Sequence, residues 1–320
     1  MREFPPLPSL DDPEAPDDVL EGHLWLLELI DGTGLRFSMD ESGLLRFGGP
    51  EATYADLDAV PLALRPAVRH VRRRFDREAL RGAVADPAAV TFLGVATRRR
   101  GTDYDWDRLP PFLGADVWVG PGREASAEGT DAEAADGAFR PPDADAAIFD
   151  GVGLDPVNAV AREVNARDFD PDEFAVPASA WRDGPAAGVV VRNKRGGRGR
   201  IARETDDGDD DARVEVGHPD DGRAGDPVDP DELAATHAGR ERFERVVRAL
   251  ERRGDPATVD VLADRTVEAV ARETPLEFEE GNSGPVGVDP ARFRASVVER
   301  ARVFLDGREE GEYGDPNGAE

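Results

Sequence analysis

A basic, strand-like stretch between Ala186 and Arg203 holds the residues best suited to bind phosphate. Three consecutive valines that end at Val191 favour an extended backbone, because β-branched side chains pack well on a pleated sheet. Guanidinium groups bind phosphate oxygens bidentately, and the intervening glycines allow the backbone to approach a ligand closely. The cations of the stretch are Arg192, Lys194, Arg195, Arg198, Arg200 and Arg203. From this stretch alone, a phosphate site and a charged hairpin whose arginines pair with nearby carboxylates are equally good interpretations.

The chain around this stretch is strongly acidic. Its 320 residues include 68 Asp and Glu against 40 Lys and Arg, which gives a net charge of -28. An acidic excess spread through every segment is typical of a halophilic protein, whose charges are screened over short distances by salt. Molar salt also reduces the contribution of counterion release to RNA binding, so hydrogen bonds and stacking would have to contribute more.

The residue types present exclude several kinds of chemistry. The chain has no cysteine, so it has no disulfide, no thiolate zinc site and no cysteine nucleophile. The histidines lie far apart, without the spacing of metal ligands: His23, His70, His218 and His237. Lys194 is the only lysine. The start of the chain lacks the apolar core of a signal peptide and no apolar run is long enough to span a membrane, so we expect a cytoplasmic protein.

Local patterns predict an α+β first domain. Strands are expected over residues 24–28, 35–39, 44–47, 90–94 and 114–119, followed by the basic strand pair. The first two strands would form a hairpin around residues 31–34, and the third would extend it into a meander. Helices are expected over residues 61–84, from about Ala144, and from Asp155 with Pro156 in its first turn. Residues 120–137 have a low-complexity composition, which predicts a surface loop.

Changes in composition along the sequence predict the domain boundaries. We expect the first domain over residues 1–203, an acidic linker over 204–230, a helical domain over 231–308 and a disordered tail over 309–320. Apolar residues at helical spacing in the last domain predict three helices, over residues 240–253, over 256–273, and from a cap at Asp289 to a stop at Gly307.

Several stretches occur in the order and at the spacing of one family's motifs. They are LLELIDG (26–32), SGLLRFG (42–48), FLGVAT (92–97), FLGADVW (112–118), AGVVVRN (187–193) and RGR (198–200). On these motifs the chain resembles the ATP-dependent RNA ligases of the nick-sealing type, which belong to the covalent nucleotidyltransferase superfamily. The resemblance implies an α+β fold, with an ATP-grasp-like RNA ligase domain of antiparallel sheets and a small helical C-terminal domain.

The resemblance also implies an activity, the joining of RNA ends with ATP and Mg²⁺. In this family a lysine attacks the α-phosphate of ATP and carries AMP as a phosphoramidate before passing it to an RNA 5′-phosphate. The positions that the resemblance assigns to nucleotide or phosphate binding are Glu28, Asp31, Gly32, Arg46, Asp116, Arg192, Arg198 and Arg200.

The positions that carry the family's chemistry are changed in this sequence. Leu29 stands at the nucleophile position of the Lys-x-Asp-Gly motif, and Val95 stands where a glutamate holds the ribose. Ala115 replaces the aromatic residue that stacks on adenine, and Ala187 replaces a carboxylate that helps to place the metal ion. These side chains cannot accept protons, bind metal ions or form a phosphoramidate. The sequence therefore predicts a pseudoenzyme without a metal site.

Three functions remain open at this point. The first is a non-catalytic protein that binds RNA ends or a nucleotide. The second is an active adenylyltransferase in which Lys194 is the nucleophile, since strand alternation could direct it to the same face as Arg192. The third is a non-catalytic partner subunit of an active RNA ligase paralogue. These residues can also be explained without a ligand. Asp31 and the glycines would then be present because they form turns, and the arginines would form ion pairs with nearby carboxylates.

Overall fold

The structure is a computed structural model that describes residues 1–12, 16–121, 137–203, 229–276, 278 and 288–312. Two compact units divide the chain. The first comprises Met1–Val60 and Leu64–His218, and the second comprises Pro61–Ala63 and Pro219–Glu320. The loop predicted over 120–137, the linker predicted over 204–230 and the tail predicted over 309–320 lie largely outside the described residues.

The first unit contains two antiparallel sheets. Its strands are β1 His23–Glu28, β2 Gly32–Met39, β3 Leu45–Gly48, β4 Thr53–Tyr54, β5 Val90–Thr97, β6 Phe112–Val119, β7 Ala138–Phe139, β8 Ala159–Asn165, β9 Gly188–Asn193 and β10 Arg198–Ala202. One sheet has the strand order β10-β9-β1-β8, and the other has the order β4-β3-β2-β5-β6-β7. The predicted α+β fold with antiparallel sheets is confirmed.

Helices cover one face of the six-stranded sheet. They are α1 Arg65–Arg74, α2 Arg77–Ala83 and α3 Pro142–Gly151, and the unit also has short 3-10 helices at Asp17–Leu20, Pro87–Ala89 and Ala166–Asp168. The core beneath the helices is aromatic, with the Phe37 and Phe92 rings stacked at 4.9 Å and Phe75 edge-on to both. Burial of these rings fixes which face of the sheet points toward the helices.

Side chains alternate between the two faces of a strand, so each sheet offers a second face. In the four-stranded sheet, Leu24, Leu26 and Val191 pack in an apolar cluster on one face. The alternate residues Leu27 and Val190 point to the other face and line a cavity between the sheets.

The second unit is helical. Its helices are α4 Pro230–His237, α5 Arg240–Glu251, α6 Val259–Glu273 and α7 Pro290–Glu312, preceded in sequence by a 3-10 helix at Leu62–Leu64. They share an apolar core that includes Phe243, Leu262 and Phe293. Among the described residues, none of the helices combines the length and the apolar character needed to cross a bilayer.

The predicted hairpin between the first two strands is wrong. β1 pairs with β8 and β9, whereas β2 pairs with β3 and β5 in the other sheet. The chain crosses between the sheets at Asp31, whose carboxylate accepts hydrogen bonds from the backbone N–H groups of Gly101 and Thr102 at 2.9 and 2.6 Å. These bonds hold the chain where it passes from one sheet to the other, at the position where the sequence predicted a hairpin turn.

The helix predicted from Asp155 is also wrong, because residues 159–165 form β8. This strand pairs with β1 through two register irregularities, and Glu163 has a φ of 55°. Irregular pairing breaks the alternation that marks a strand, so the spacing of Val157, Val160 and Val164 resembled that of a helix.

Other element boundaries differ from the predictions. Residues 61–84 form two α-helices, because the chain leaves the helical conformation at Phe75 and the Asp76 carboxylate caps α2 by accepting from Glu78 and Ala79 N–H. In the second unit, α4 was not predicted, and α7 continues past the predicted stop at Gly307.

Candidate functional site

A cavity of about 130 Å³ lies between the two sheets of the first unit. Its lining is Phe4, Pro5, Leu7, Leu27, Glu28, Leu29, Ile30, Gly32, Thr33, Gly34, Leu93, Gly94, Val95, Ala115, Asp116, Val157, Val190, Arg192 and Arg198. Most of these residues are apolar. The cavity is therefore an apolar cleft with a few charged groups, which is the usual composition of a small-molecule site.

Five of the eight predicted binding residues line this cavity: Glu28, Gly32, Asp116, Arg192 and Arg198. Three of the changed catalytic positions, Leu29, Val95 and Ala115, line it with them. These residues come from segments that are separated by up to 170 positions in the sequence, such as Glu28 and Arg198. The fold therefore brings residues of five separated motifs to one cavity.

The other three predicted binding residues are not among those that line the cavity. Asp31 anchors the loop at Gly101 and Thr102, as described above. Arg46 is exposed on β3 and forms an ion pair with Asp40 at 3.3 Å. The backbone of Arg200 pairs with residues 8–10 at the outer edge of β10.

Lys194, the alternative nucleophile, also lies outside the cavity lining. Its ammonium group forms ion pairs with Glu163 at 2.7 Å and Asp143 at 3.3 Å. The hydrogen bonds with Glu163 and Asp143 raise the pKa of the Lys194 amine. A nucleophilic amine must be neutral, so this environment is opposite to the one that catalysis requires.

Three of the four positions at which the resemblance expects catalytic or binding residues form an apolar lining, which we define as Leu29, Val95 and Ala115; the fourth, Ala187, is not among the residues that line the cavity. Leu29 is 5% exposed, and its backbone N–H donates to the Gly188 carbonyl at 2.9 Å. The lining is thus part of a packed, hydrogen-bonded wall. It offers a surface for a flat apolar group and no proton acceptor.

The charged groups of the site form a cluster, which we define as Arg192, Arg198, Asp116 and Asp145. One Asp116 oxygen forms an ion pair with Arg192 at 2.9 Å and accepts a hydrogen bond from Arg198 at 2.7 Å. Arg192 also donates to Asp145 at 2.8 Å. The charged cluster therefore pairs each of its arginines with at least one carboxyl group.

Arg192 is held by its surroundings on both sides of the guanidinium group. Nη1 donates to the Ala115 carbonyl at 2.7 Å and to Asp145 at 2.8 Å. Nη2 donates to the Arg140 carbonyl at 3.2 Å and forms an ion pair with Asp116 at 2.9 Å. Both terminal nitrogens therefore have two oxygen partners each. A phosphate oxygen could bind Arg192 only by replacing one of them.

Burial changes the proton affinities within the charged cluster. It raises the pKa of the Asp145 carboxyl to about 7, against the opposing effect of Arg192 and with a further rise from Asp116. Burial disfavours the charge of Arg192, but Asp116 and Asp145 together raise its pKa. Burial lowers the pKa of Arg198, and Asp116 partly offsets that change. Near neutral pH the cluster therefore gains or loses a proton at Asp145.

Glu28 is the second carboxylate of the cavity, and it is 1% exposed. Its oxygens accept from the Ser179 hydroxyl at 2.5 Å and from the Ala180 backbone N–H at 3.1 Å. These bonds tie the segment before β9 to the end of β1. Glu28 thus has a structural role that explains its burial without a ligand.

The residues present do not fit a magnesium site. Within the described part of the chain, no group of three or more His, Asp and Glu residues is arranged to hold a metal ion. Of the two carboxylates in the cavity, Asp116 is neutralised by two arginines and Glu28 is hydrogen-bonded elsewhere. Proteins usually hold Mg²⁺ with one or two carboxylates together with water and substrate phosphates, and both carboxylates of the cavity are already engaged, so the residues as arranged do not fit the Mg²⁺ expected from the resemblance.

Sequence reasoning missed three parts of the site. Asp145 is one of several aspartates in an acidic segment, and nothing local shows that it faces Arg192. Ser179 lies in a region without predicted structure. Phe4 belongs to a proline-rich start that has no secondary structure of its own, so its place in the cavity had no sequence signal.

Among solved structures, the chain is similar to Naegleria gruberi RNA ligase with PPi, at 12% identity and a TM-score of 0.42, covering 62% of this chain and 57% of that one. It is also similar to an archaeal ATP-dependent RNA ligase, at 14% identity and a TM-score of 0.42, covering 98% of this chain and 67% of that one. The chain thus spans little more than half of the Naegleria ligase. These values describe a distant likeness to RNA ligases in fold. No protein-family model and no curated protein matches the chain.

Proposed function

We propose that the chain is a non-catalytic, RNA ligase-like protein that binds a nucleotide, either free or at an RNA end, in the cavity between its two sheets. The observation that carries this proposal is the convergence of Glu28, Gly32, Asp116, Arg192 and Arg198 on one cavity. A cleft retained at the meeting point of separate motifs favours a protein that still binds a ligand there.

The cavity suits the base of a nucleotide better than its phosphates. Its lining is mainly aliphatic, and its volume of about 130 Å³ is comparable to that of apolar cavities of about 150 Å³ that bind benzene. The arginines that would bind phosphate are already paired with Asp116 and Asp145. We therefore expect the base to contribute most of the binding free energy.

The absence of catalysis rests on the groups that adenylyl transfer needs. Leu29 stands at the nucleophile position, and the single lysine of the chain is ion-paired with Glu163 and Asp143. The carboxylates of the cavity do not form a metal site. Binding without covalent transfer is the activity that agrees with all of these features.

Calorimetric titration with AMP in molar potassium chloride tests the binding. Ala115→Leu adds three carbons to the cavity lining without adding an aromatic face, and we expect it to weaken AMP binding at least about tenfold by filling the space. Ala202→Leu is the matched control, because Ala202 is exposed at the end of β10. The proposal is wrong if AMP binds neither the intact chain nor Phe4→Ala, in which a ring that lines the cavity is removed, or if Ala115→Leu binds AMP as tightly as the intact chain does.

A further inference from the structure

The first ten residues, Met1–Leu10, which we call the leading segment, dock on the second face of the six-stranded sheet. The Arg2 backbone N–H donates to the Thr91 hydroxyl at 3.3 Å, and the Arg2 carbonyl accepts from the Arg36 side chain at 3.1 Å. The Arg2 guanidinium lies 5.7 and 5.9 Å from the ring centres of Trp118 and Phe139. Cation–π contacts of this kind add a modest attraction.

The other end of the leading segment pairs with the four-stranded sheet. Leu10 N–H donates to the Arg200 carbonyl at 2.8 Å, and Arg200 N–H donates to the Pro8 carbonyl at 2.9 Å, so that Ser9 forms a parallel bridge with Arg200. The segment therefore contacts the edge of β10 through one isolated parallel bridge. It connects the two sheets across the cavity that lies between them.

The middle of the leading segment forms part of the cavity wall, through Phe4, Pro5 and Leu7. Glycines make room for it. A Cβ atom at Gly34 would lie 2.8 Å from the Phe4 ring, and one at Gly199 would lie 2.4 Å from the Leu10 side chain. Larger residues at these two positions would collide with the docked segment.

The leading segment is held less firmly than the walls that it covers. None of its ten residues is buried, although all ten are described. Pro5, Pro6 and Pro8 have no N–H groups to donate, and prolines favour the extended conformation in which the segment docks. Few buried contacts and few backbone hydrogen bonds characterise segments that open locally at low free-energy cost.

With the leading segment docked, the cavity of about 130 Å³ is smaller than the 300–1,000 Å³, roughly, of pockets that enclose whole ligands. We infer that the leading segment is a built-in competitor for the nucleotide cleft: it closes the cleft by docking Phe4, Pro5 and Leu7 between the sheets, and a nucleotide binds fully only when the segment leaves. This inference rests on the proposed function. The apparent affinity for a nucleotide is then reduced by the fraction of molecules in which the cleft is closed.

Two single substitutions in the full chain test the competition. Phe4→Ala removes the ring from the cavity, and Gly34→Ala places a methyl group against that ring. Both should favour the undocked segment, and we expect each to tighten AMP binding about tenfold in calorimetric titrations. The matched controls are Phe174→Ala, a half-buried ring in a different cluster, and Gly82→Ala, where an added Cβ has no neighbour within 4 Å. Both controls should bind AMP as the intact chain does.

Hydrogen exchange gives a second measurement on the same samples. Saturating AMP should speed the exchange of the Leu10 and Arg200 amides, because their bonds between the leading segment and β10 break when the segment leaves. The competition is refuted if Phe4→Ala and Gly34→Ala bind AMP no more tightly than the intact chain. It is also refuted if AMP slows the exchange of the Leu10 and Arg200 amides, because the segment would then be a fixed wall of the cavity. That result leaves nucleotide binding itself intact. If no variant binds AMP, the proposed function fails and the competition fails with it.

Discussion

The apolar lining and the charged cluster are neighbouring regions of one site, and they differ in why neither offers a free polar group to a phosphate. In the apolar lining, Leu29, Val95 and Ala115 have no polar side-chain atoms. In the charged cluster the polar atoms remain, but Arg192 and Arg198 bind Asp116 and Asp145 within the protein. One region has no charge, and the other has charge that is already paired.

This difference shows that an arginine in a cavity does not by itself make a phosphate site, because its guanidinium can be paired within the protein. A guanidinium with two oxygen partners on each terminal nitrogen contributes to the fold, because removing it would leave Asp145 buried without a cation. The apolar lining contributes by packing alone. The comparison therefore predicts that the charged cluster is the more costly region to disturb.

Removing Arg192 should have the largest effect on stability. Arg192→Ala leaves Asp145 buried without its cation, and Asp116 is left with Arg198 alone. We expect the free energy of unfolding at pH 7 to fall by about 3–5 kcal/mol, the cost of breaking a buried ion pair from one side. Urea unfolding in molar potassium chloride measures it.

Arg195→Ala is the matched control for Arg192→Ala. Arg195 is 80% exposed and pairs with Glu21 at the surface, so its removal should cost less than about 1 kcal/mol. If the two substitutions have equal effects, the buried charged cluster does not hold the fold, and the comparison with the apolar lining fails.

A smaller effect should appear in the pH dependence of stability. The pKa of Asp145 is about 7 in the folded protein and close to 3.8 when exposed. Between these values the folded chain keeps a proton that the unfolded chain has released, so this group makes the fold less stable as the pH rises from 4 to 7. Asp145→Asn cannot release a proton and should remove that contribution, which is roughly 2–4 kcal/mol.

Unfolding of the intact chain and of Asp145→Asn should be compared from pH 4 to pH 8. The stability of the intact chain relative to Asp145→Asn should fall through this range and level off above pH 7. Asp143→Asn on the same helix is the control, because Asp143 is 45% exposed and pairs with Lys194 at the surface. A constant difference between the intact chain and Asp145→Asn would show that Asp145 is ionised throughout.

Much of the first unit could be predicted from local sequence. The runs LWLLE and VVVRN are short, apolar and rich in strand-forming residues, and they form β1 and β9. Most of the residues that line the cavity also lie within the motifs on which the resemblance rests. The strands could be predicted because strand formation depends largely on neighbouring residues. The lining residues could be predicted because the resemblance assigns them to one site.

The rest depended on contacts between distant parts of the chain. β1 pairs with β8 more than 130 residues later, as in Leu24 with Val164, so local sequence could not show that β1 and β2 belong to different sheets. Asp145 and Phe4 reach the site through tertiary packing alone. The partner subunit that the sequence left open stays a prediction, which co-purification with an active ligase would test.

The most direct test of the central claim is the intact mass of the full chain after incubation with ATP and Mg²⁺ in molar potassium chloride. An active ATP-dependent RNA ligase treated in the same way provides the control for labelling. We predict an unmodified mass for this chain, because Leu29 cannot form a phosphoramidate and Lys194 is held as a protonated amine by Glu163 and Asp143. A stable AMP adduct that Lys194→Ala abolishes would contradict it, since no other lysine is available to carry AMP.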